Sequence, residues 1–448
     1  MDNTPYIQVV CPDDNIPERE YIINTLFFFI GLRCKVEFSD TARGYCIVFE
    51  GKTLIIEDHF FIRHQEDLSY FSNKNIPPQL IWFNGIEGIE LPIIYGRDFF
   101  SCSKDKIICG LDIFASSFFM LSRWEEFVIN QKNGKCDEEA LFSVRNNIFG
   151  RPIVNEYCSL LVMLLKKIGL KIPVAFKKTE VLLTHDVDRC YLSTFGEMLV
   201  NTGKLLFKKP KKAILTQKRF LQYKMLNINP FNSFDLLMSY SEQYKFKNSF
   251  FFKGCQRNEE GFTYDVGDNF VRGIIALIED RGHIIGFHPS ENTLNNKEQF
   301  MEELERLRSV TNSVPIGGRS HGLFYPIGYY AFWDEAGLVY DSGCGFQFRN
   351  GFRAGVCQPY NIFDIRSRKK LDLLEKPFIL MDSVWLRNKI SPSDFYLEAT
   401  KLIDIVFKYK GTLCLNWHSN LINSIEMKNF QDIYFKIVEH IGALKDNI

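Results

Sequence analysis

The apolar positions of this chain change period repeatedly. Runs of consecutive apolar residues alternate with stretches whose apolar positions fall three and four apart. The runs predict buried strands, and the stretches predict amphipathic helices. Over residues 1–172 the pattern predicts strands at 6–10, 45–50 and 53–57, the last two joined by a Gly51-Lys52 hairpin turn. Helices are predicted at 18–32, 113–129 and 152–168. The last opens on Pro152 and stops before Gly169, as expected of a capped element. After Lys171-Ile172-Pro173 the alternation becomes regular. Strands are predicted at 181–183, 248–252, 284–287, 379–381 and 412–416, and helices at 270–281, 297–310 and 392–408. Such alternation predicts an α/β fold built on a parallel sheet or a barrel. The stretch 191–245 reads as a helical insertion.

With 448 residues the chain is long for one domain, and the break at Lys171-Ile172-Pro173 predicts two, at 1–172 and 173–448. A hydrophobic content of 46%, with 42 Phe, excludes a disordered class. Lys+Arg and Asp+Glu both number 54, so no global charge points to nucleic acid. The 12 cysteines include no C-x-x-C pair, which predicts reduced thiols in a cytoplasmic protein and no zinc knuckle. The opening Met-Asp-Asn-Thr-Pro lacks the basic and apolar regions of a secretory signal, and no window is apolar enough to span a bilayer. Between Lys204 and Lys224, eight of 21 residues are Lys or Arg. They form either a solvated helical face or a contact for an anionic glycan or a peripheral membrane surface.

Groups able to do chemistry stand where the apolar runs stop. Asp186 and Asp188 follow Val181-Leu182-Leu183, His288 follows Ile284-Ile285-Gly286-Phe287, and His418 follows Leu413-Cys414-Leu415-Asn416-Trp417. In a barrel, polar groups at several strand ends converge on one pocket. A carboxylate with imidazole suits zinc or a similar divalent ion, a second carboxylate can take a proton from water, and a separate histidine can protonate a leaving group.

These segments, in this order, resemble the NodB-like polysaccharide deacetylases. Thr184-His185-Asp186-Val187-Asp188 resembles the first family motif, and Ser249-Phe250-Phe251-Phe252-Lys253-Gly254 the T-F-F strand. Gly282-His283-Ile284-Ile285-Gly286-Phe287-His288 resembles G-H-E-I-G-x-H, the stretch from Arg319 to Pro326 the arginine-containing third motif, and Leu415-Asn416-Trp417-His418 the final strand with its histidine. The resemblance spans about 175–425. The first stretch, with Ser122-Arg123-Trp124-Glu125-Glu126, resembles the N-terminal module of a bacterial branch associated with surface-polysaccharide genes. The resemblance implies a deformed (β/α) barrel preceded by a smaller α/β domain. It implies a metal-dependent hydrolase that removes acetyl groups from N-acetylated sugars, with a carbohydrate substrate and Zn2+, Co2+ or Ni2+ as cofactor. Asp186 would match the general base, Asp188 and His288 metal ligands, Arg319 the group that orients the base, and His418 the general acid. Asp382 would orient His418.

One position departs from the family pattern. Its second motif carries another histidine four residues after the first, and here Asn292 stands in that place. Asn292 could bind through its amide oxygen, and His321 or Glu291 could complete the shell. His185 and His283 are expected to be structural. Two alternatives stay open. The departure allows a glycan-binding protein without catalysis. Gly318-Arg319-Ser320-His321-Gly322 matches the G-x-S-x-G elbow of serine hydrolases, which would make Ser320 a nucleophile, although Pro315 weakens the strand before it and Gly322 the helix after it.

Overall fold

The computed structural model describes residues 6–129, 136–172, 178–191, 198–199, 203, 210–227, 229–256, 264–423 and 428–446. The chain forms two compact units. One comprises Met1–Glu180, Leu323–Ile379 and Ile405–Leu413, the other Val181–Gly322, Leu380–Asp404 and Cys414–Ile448.

The first unit holds a six-stranded sheet in the order Arg33–Ser39, Tyr6–Pro12, Gly44–Phe49, Lys52–Glu57, Lys106–Leu111, Gly96–Cys102. The predicted hairpin forms, shifted by one residue. Its turn is Glu50-Gly51, with φ of 46° and 77°, because a two-residue hairpin turn of this twist needs both central residues left-handed. Helices Ile16–Phe29, Ile113–Ser122 and Ile153–Lys167 bury apolar faces in one core with this sheet. The single helix expected over 113–129 is two, Ile113–Ser122 and Trp124–Val128, broken at Arg123 with φ 53°. The break turns the Arg123 guanidinium onto both oxygens of Glu126, at 2.7 Å each. Arg353 grips the same carboxylate at 3.0 and 2.7 Å. All three residues are buried, and this ion cluster is one reason Leu323–Ile379 belongs to the first unit.

The second unit is built on neighbouring strands in the order Gly317–Gly318, Ile284–Phe287, Asn248–Phe252, Glu180–Val187, Thr412–Asn416, Leu380–Met381. The registered pairs run parallel: Ser249 lies beside Thr184 and Ile284, Phe287 beside Gly318, and Leu380 beside Leu415. Every residue of Asn248–Phe252 and Thr412–Asn416 is buried, as in parallel strands covered on both faces. No pairing among the described residues closes the ends of the sheet, so the barrel expected from the sequence is an open half-barrel within a mixed α/β fold. Helix Asn269–Asp280 shows how pattern becomes packing: its buried residues Val271, Ile274, Ile275 and Ile278 follow the three-and-four spacing. Lys297–Arg308 starts at Asn296, whose side chain accepts from Gln299 N.

Within 191–245, the stretch expected to be an insertion, lie helices Pro210–Met225 and Phe234–Gln243. Residues 204–209 lie outside the described residues, so the basic stretch from Lys204 to Lys224 is described only from Pro210 onward. No helix among the described residues is long and apolar enough to cross a membrane.

Candidate active site

Each of the six strands delivers a polar side chain at its C-terminal end. Glu180–Val187 carries Asp186 in its last turn of pleat, with Asp188 just beyond. Because strand side chains alternate, the two carboxylates share a side. Lys253 follows Asn248–Phe252, His288 follows Ile284–Phe287, Arg319 follows Gly317–Gly318, His418 lies two residues beyond Thr412–Asn416, and Asp382 directly follows Leu380–Met381.

Backbone contacts hold these ends together. His288 N donates to Phe252 O at 2.8 Å, Arg319 N to Phe287 O at 3.0 Å and His321 N to Pro289 O at 3.1 Å. Gly318 makes the second contact feasible, since a Cβ there would stand 1.8 Å from Phe287 O. In the His288-Pro289-Ser290 segment, Ser290 is the anchor. Its N donates to buried Glu303 at 3.0 Å and its hydroxyl to the other oxygen of that carboxylate.

Asp186 is 5% exposed and accepts from Arg319 Nη1 at 2.8 Å and from Asn416 Nδ2 at 2.8 Å. Burial alone would raise its carboxyl, but the Arg319 guanidinium, together with His288 and His418, outweighs it and holds the group at about 2. Arg319 is wholly buried. It also donates to Thr184 Oγ1 at 2.9 Å and lies over the Phe251 ring.

Asp188, His288 and His321 form the second group, with one ligand atom from each within 4.8 Å of the others. His288 Nε2 and His321 Nε2 stand 3.8 and 3.7 Å from Asp188 Oδ1. His288 donates Nδ1–H to Arg319 O at 2.7 Å, which fixes the tautomer and leaves a lone pair on Nε2. That Nε2 is buried and has no hydrogen-bond partner. Burial lowers His288, and burial together with Lys253 lowers His321 to about 3, so both imidazoles are neutral. Burial works against the Asp188 charge, yet Lys253 and the nearby imidazoles hold it far below the usual carboxylate range. A carboxylate and two neutral imidazoles with an orphaned, pre-oriented nitrogen fit a divalent ion. Their spacings are slightly wider than the roughly 3.4 Å between ligands of a tetrahedral zinc.

His418 and Asp382 form the third group. His418 Nδ1 donates to Asp382 Oδ1 at 2.6 Å, and His418 N donates to Oδ2 of the same wholly buried carboxylate at 2.7 Å. Burial would lower the imidazole, but Asp382 outweighs it and raises it to about 9. His418 is therefore an imidazolium at neutral pH, with Nε2 4.0 Å from Asp188 Oδ2. The expected residues Asp186, Asp188, His288, Arg319, Asp382 and His418 thus converge. His321, one of two residues considered for the shell, joins them. Asn292 sits exposed on the turn Glu291–Thr293.

His185 and His283 have structural partners. His185 bonds Trp417 O at 2.7 Å and Asn248 Oδ1 at 3.2 Å, and His283 Nδ1 accepts from Asn248 N at 2.9 Å. Ser320 is buried, and only the three-residue turn His321–Leu323, interrupted at Gly322, follows it. This is not the helix that a nucleophile elbow requires.

The sequence reading missed Lys253. Its ammonium lies 2.9 Å from Asp188 Oδ1 with the side chain 1% exposed. The available signal was a lysine ending a wholly apolar strand next to the strand of Asp186. Asn416, which fixes the second Asp186 oxygen, was also missed as a site residue.

A family described as a family of unknown function (DUF7033) matches residues 7–170. No curated protein matches the chain. Among solved structures, one described as a "putative polysaccharide deacetylase from Mycobacterium smegmatis" is 16% identical with a TM-score of 0.41, over 60% of this chain and 86% of that one. Another, described as a "putative polysaccharide deacetylase involved in o-antigen biosynthesis" from Bordetella bronchiseptica, is 16% identical with a TM-score of 0.30, over 61% and 92%.

Proposed function

We propose that this protein is a metal-dependent hydrolase that removes acetyl groups from an N-acetylated sugar in surface-polysaccharide biosynthesis. The observation that carries the reading is the convergence of three groups with separate roles at one sheet edge: the Asp188–His288–His321 trio, the Asp186–Arg319 pair and the His418–Asp382 pair. The five family-like motifs that supply most of these residues support the same chemistry.

A divalent ion held by Asp188, His288 and His321 would supply Lewis acidity, acidifying water and polarising the acetamide carbonyl. Asp186 accepts the proton of the attacking water. Held at about 2, it is always ionised but weakly basic, so it suits a water that is already acidified. Arg319 and Asn416 fix both Asp186 oxygens and thereby aim the carboxylate. His418, protonated and anchored by Asp382, delivers a proton to the departing nitrogen. Water adds to the carbonyl carbon, the C–N bond breaks, and the products are acetate and a free amino sugar.

One observation favours a second reading. The Lys253 ammonium already neutralises Asp188, as it would in a glycan-binding protein that uses no metal. Metal uptake separates the two. The hydrolase reading expects about one zinc, cobalt or nickel ion per chain by elemental analysis, lost in Asp188→Ala and His288→Ala, with acetate released from N-acetylated oligosaccharides by the loaded protein. A wild type that takes up none of these ions after incubation would overturn it in favour of glycan binding without catalysis.

A further inference from the structure

Helix Pro210–Met225 lies in the loop that leaves the catalytic end of strand Glu180–Val187. Phe220 and Tyr223, three apart, are buried at 5% and 9% exposure. The outward face is also apolar. Ile214, Leu221 and Met225 are 62%, 48% and 86% exposed, and their spacings of seven and four keep them on one stripe. Leu226 extends it at 54%. From Ile214 to Met225 the stripe runs about 16 Å along the helix. Such a face is costly to leave in water.

The charge around the stripe has one sign. The helix sequence holds Lys211, Lys212, Lys218, Arg219 and Lys224 and no acid, and no Asp or Glu occurs from Met198 through Phe234. A second copy of this helix would be repelled, and a soluble anionic glycan offers nothing to the aliphatic stripe. An anionic bilayer matches both features, taking the apolar stripe into the acyl boundary and the cations onto lipid phosphates. We propose that helix Pro210–Met225 docks the protein on an anionic membrane surface.

The chain then returns to the catalytic edge. Asn229 Nδ2 donates to Cys190 O at 3.0 Å and Arg189 lies over the Phe231 ring, so at most roughly 15 Å of chain separates Met225 from this anchor near Asp188. If the proposed deacetylation holds, a lipid-linked sugar is then the substrate class best presented to the site. That consequence rests on the proposed function, whereas the docking does not.

The test is co-sedimentation of the full chain with vesicles of phosphatidylcholine alone or with 30% phosphatidylserine, at low and high salt. The expected result is binding to the anionic vesicles only, reduced at least tenfold by salt, by Leu221→Glu with Met225→Glu, and by Lys218→Glu with Lys224→Glu. All four positions are exposed, so far-UV circular dichroism and zinc uptake should match the wild type. Wild-type vesicle binding that the Leu221→Glu/Met225→Glu variant retains would overturn the proposal. So would binding to dextran sulfate without binding to vesicles, which assigns the patch to a polyanionic glycan. A dimer that dissociates in that variant, again without vesicle binding, would assign the face to a second copy. Loss of deacetylase activity with vesicle binding intact would count against the proposed function alone.

Discussion

At the scale of single residues, the site works by opposing burial with specific charges. His418 shows the sign clearly. Its folded value of about 9 lies above the ordinary histidine value near 6.5, because Asp382 outweighs burial. The pair therefore stabilises the metal-free protein fully below pH 6.5 and loses that contribution as pH rises through about 9, with an upper bound of about 3 kcal/mol. We expect the His418 imidazole to titrate near pH 9 by NMR in metal-free protein, and Asp382→Asn to drop it below the ordinary value. On the hydrolase reading His418 is the proton donor, and that variant should lower kcat about 100-fold or more at neutral pH. Lys253 makes a different prediction. Its ammonium competes for the Asp188 oxygen that the hydrolase reading assigns to a metal. Lys253→Met should therefore tighten zinc binding, on the order of tenfold or more by calorimetry. Unchanged or weaker affinity would mean that the ammonium does not oppose the ion.

Among the elements, the two-residue strand Gly317–Gly318 contributes more than its length suggests. It places Arg319 against Asp186, and it can do so only because Gly318 lets Phe287 O approach where a Cβ would stand 1.8 Å away. Gly318→Ala should cost about 3 kcal/mol in urea unfolding and lower activity well beyond that loss, since the Arg319 guanidinium would leave its carboxylate. Several elements were fully legible from the sequence. Strands Asn248–Phe252, Ile284–Phe287 and Thr412–Asn416 and helix Pro392–Lys408 fall where their patterns predict. Each has a clean period bounded by polar, Gly or Pro residues. The helix expected over 113–129 was legible only in part. Its apolar spacing continues through Arg123, while the break there sets Arg123 on Glu126, a carboxylate also held by Arg353 more than two hundred positions away.

At the scale of the whole molecule, that ion cluster ties distant stretches into the first unit. Glu126 is held at about 2 because Arg123 and Arg353 overcome its burial. Its contribution to stability is present above the ordinary carboxylate value and is lost as pH falls through about 2. Glu126→Ala would leave two buried guanidiniums without their shared partner. We expect a loss of 3–5 kcal/mol, typical of a broken buried pair, and faster proteolysis within Leu323–Ile379. On the hydrolase reading, zinc uptake by the second unit should persist, since Asp188, His288 and His321 lie outside this cluster. By itself the sequence determined the α/β class, eight of the strands and six of the polar residues that converge at the strand ends, because alternation and the polar groups that end apolar runs are local signals. Only tertiary structure decided that the parallel sheet stays open, that His321 stands beside Asp188 and His288 while Asn292 lies exposed, and that Lys253 shares the Asp188 carboxylate. Those outcomes depend on distances between strands far apart in the chain, which no local pattern encodes.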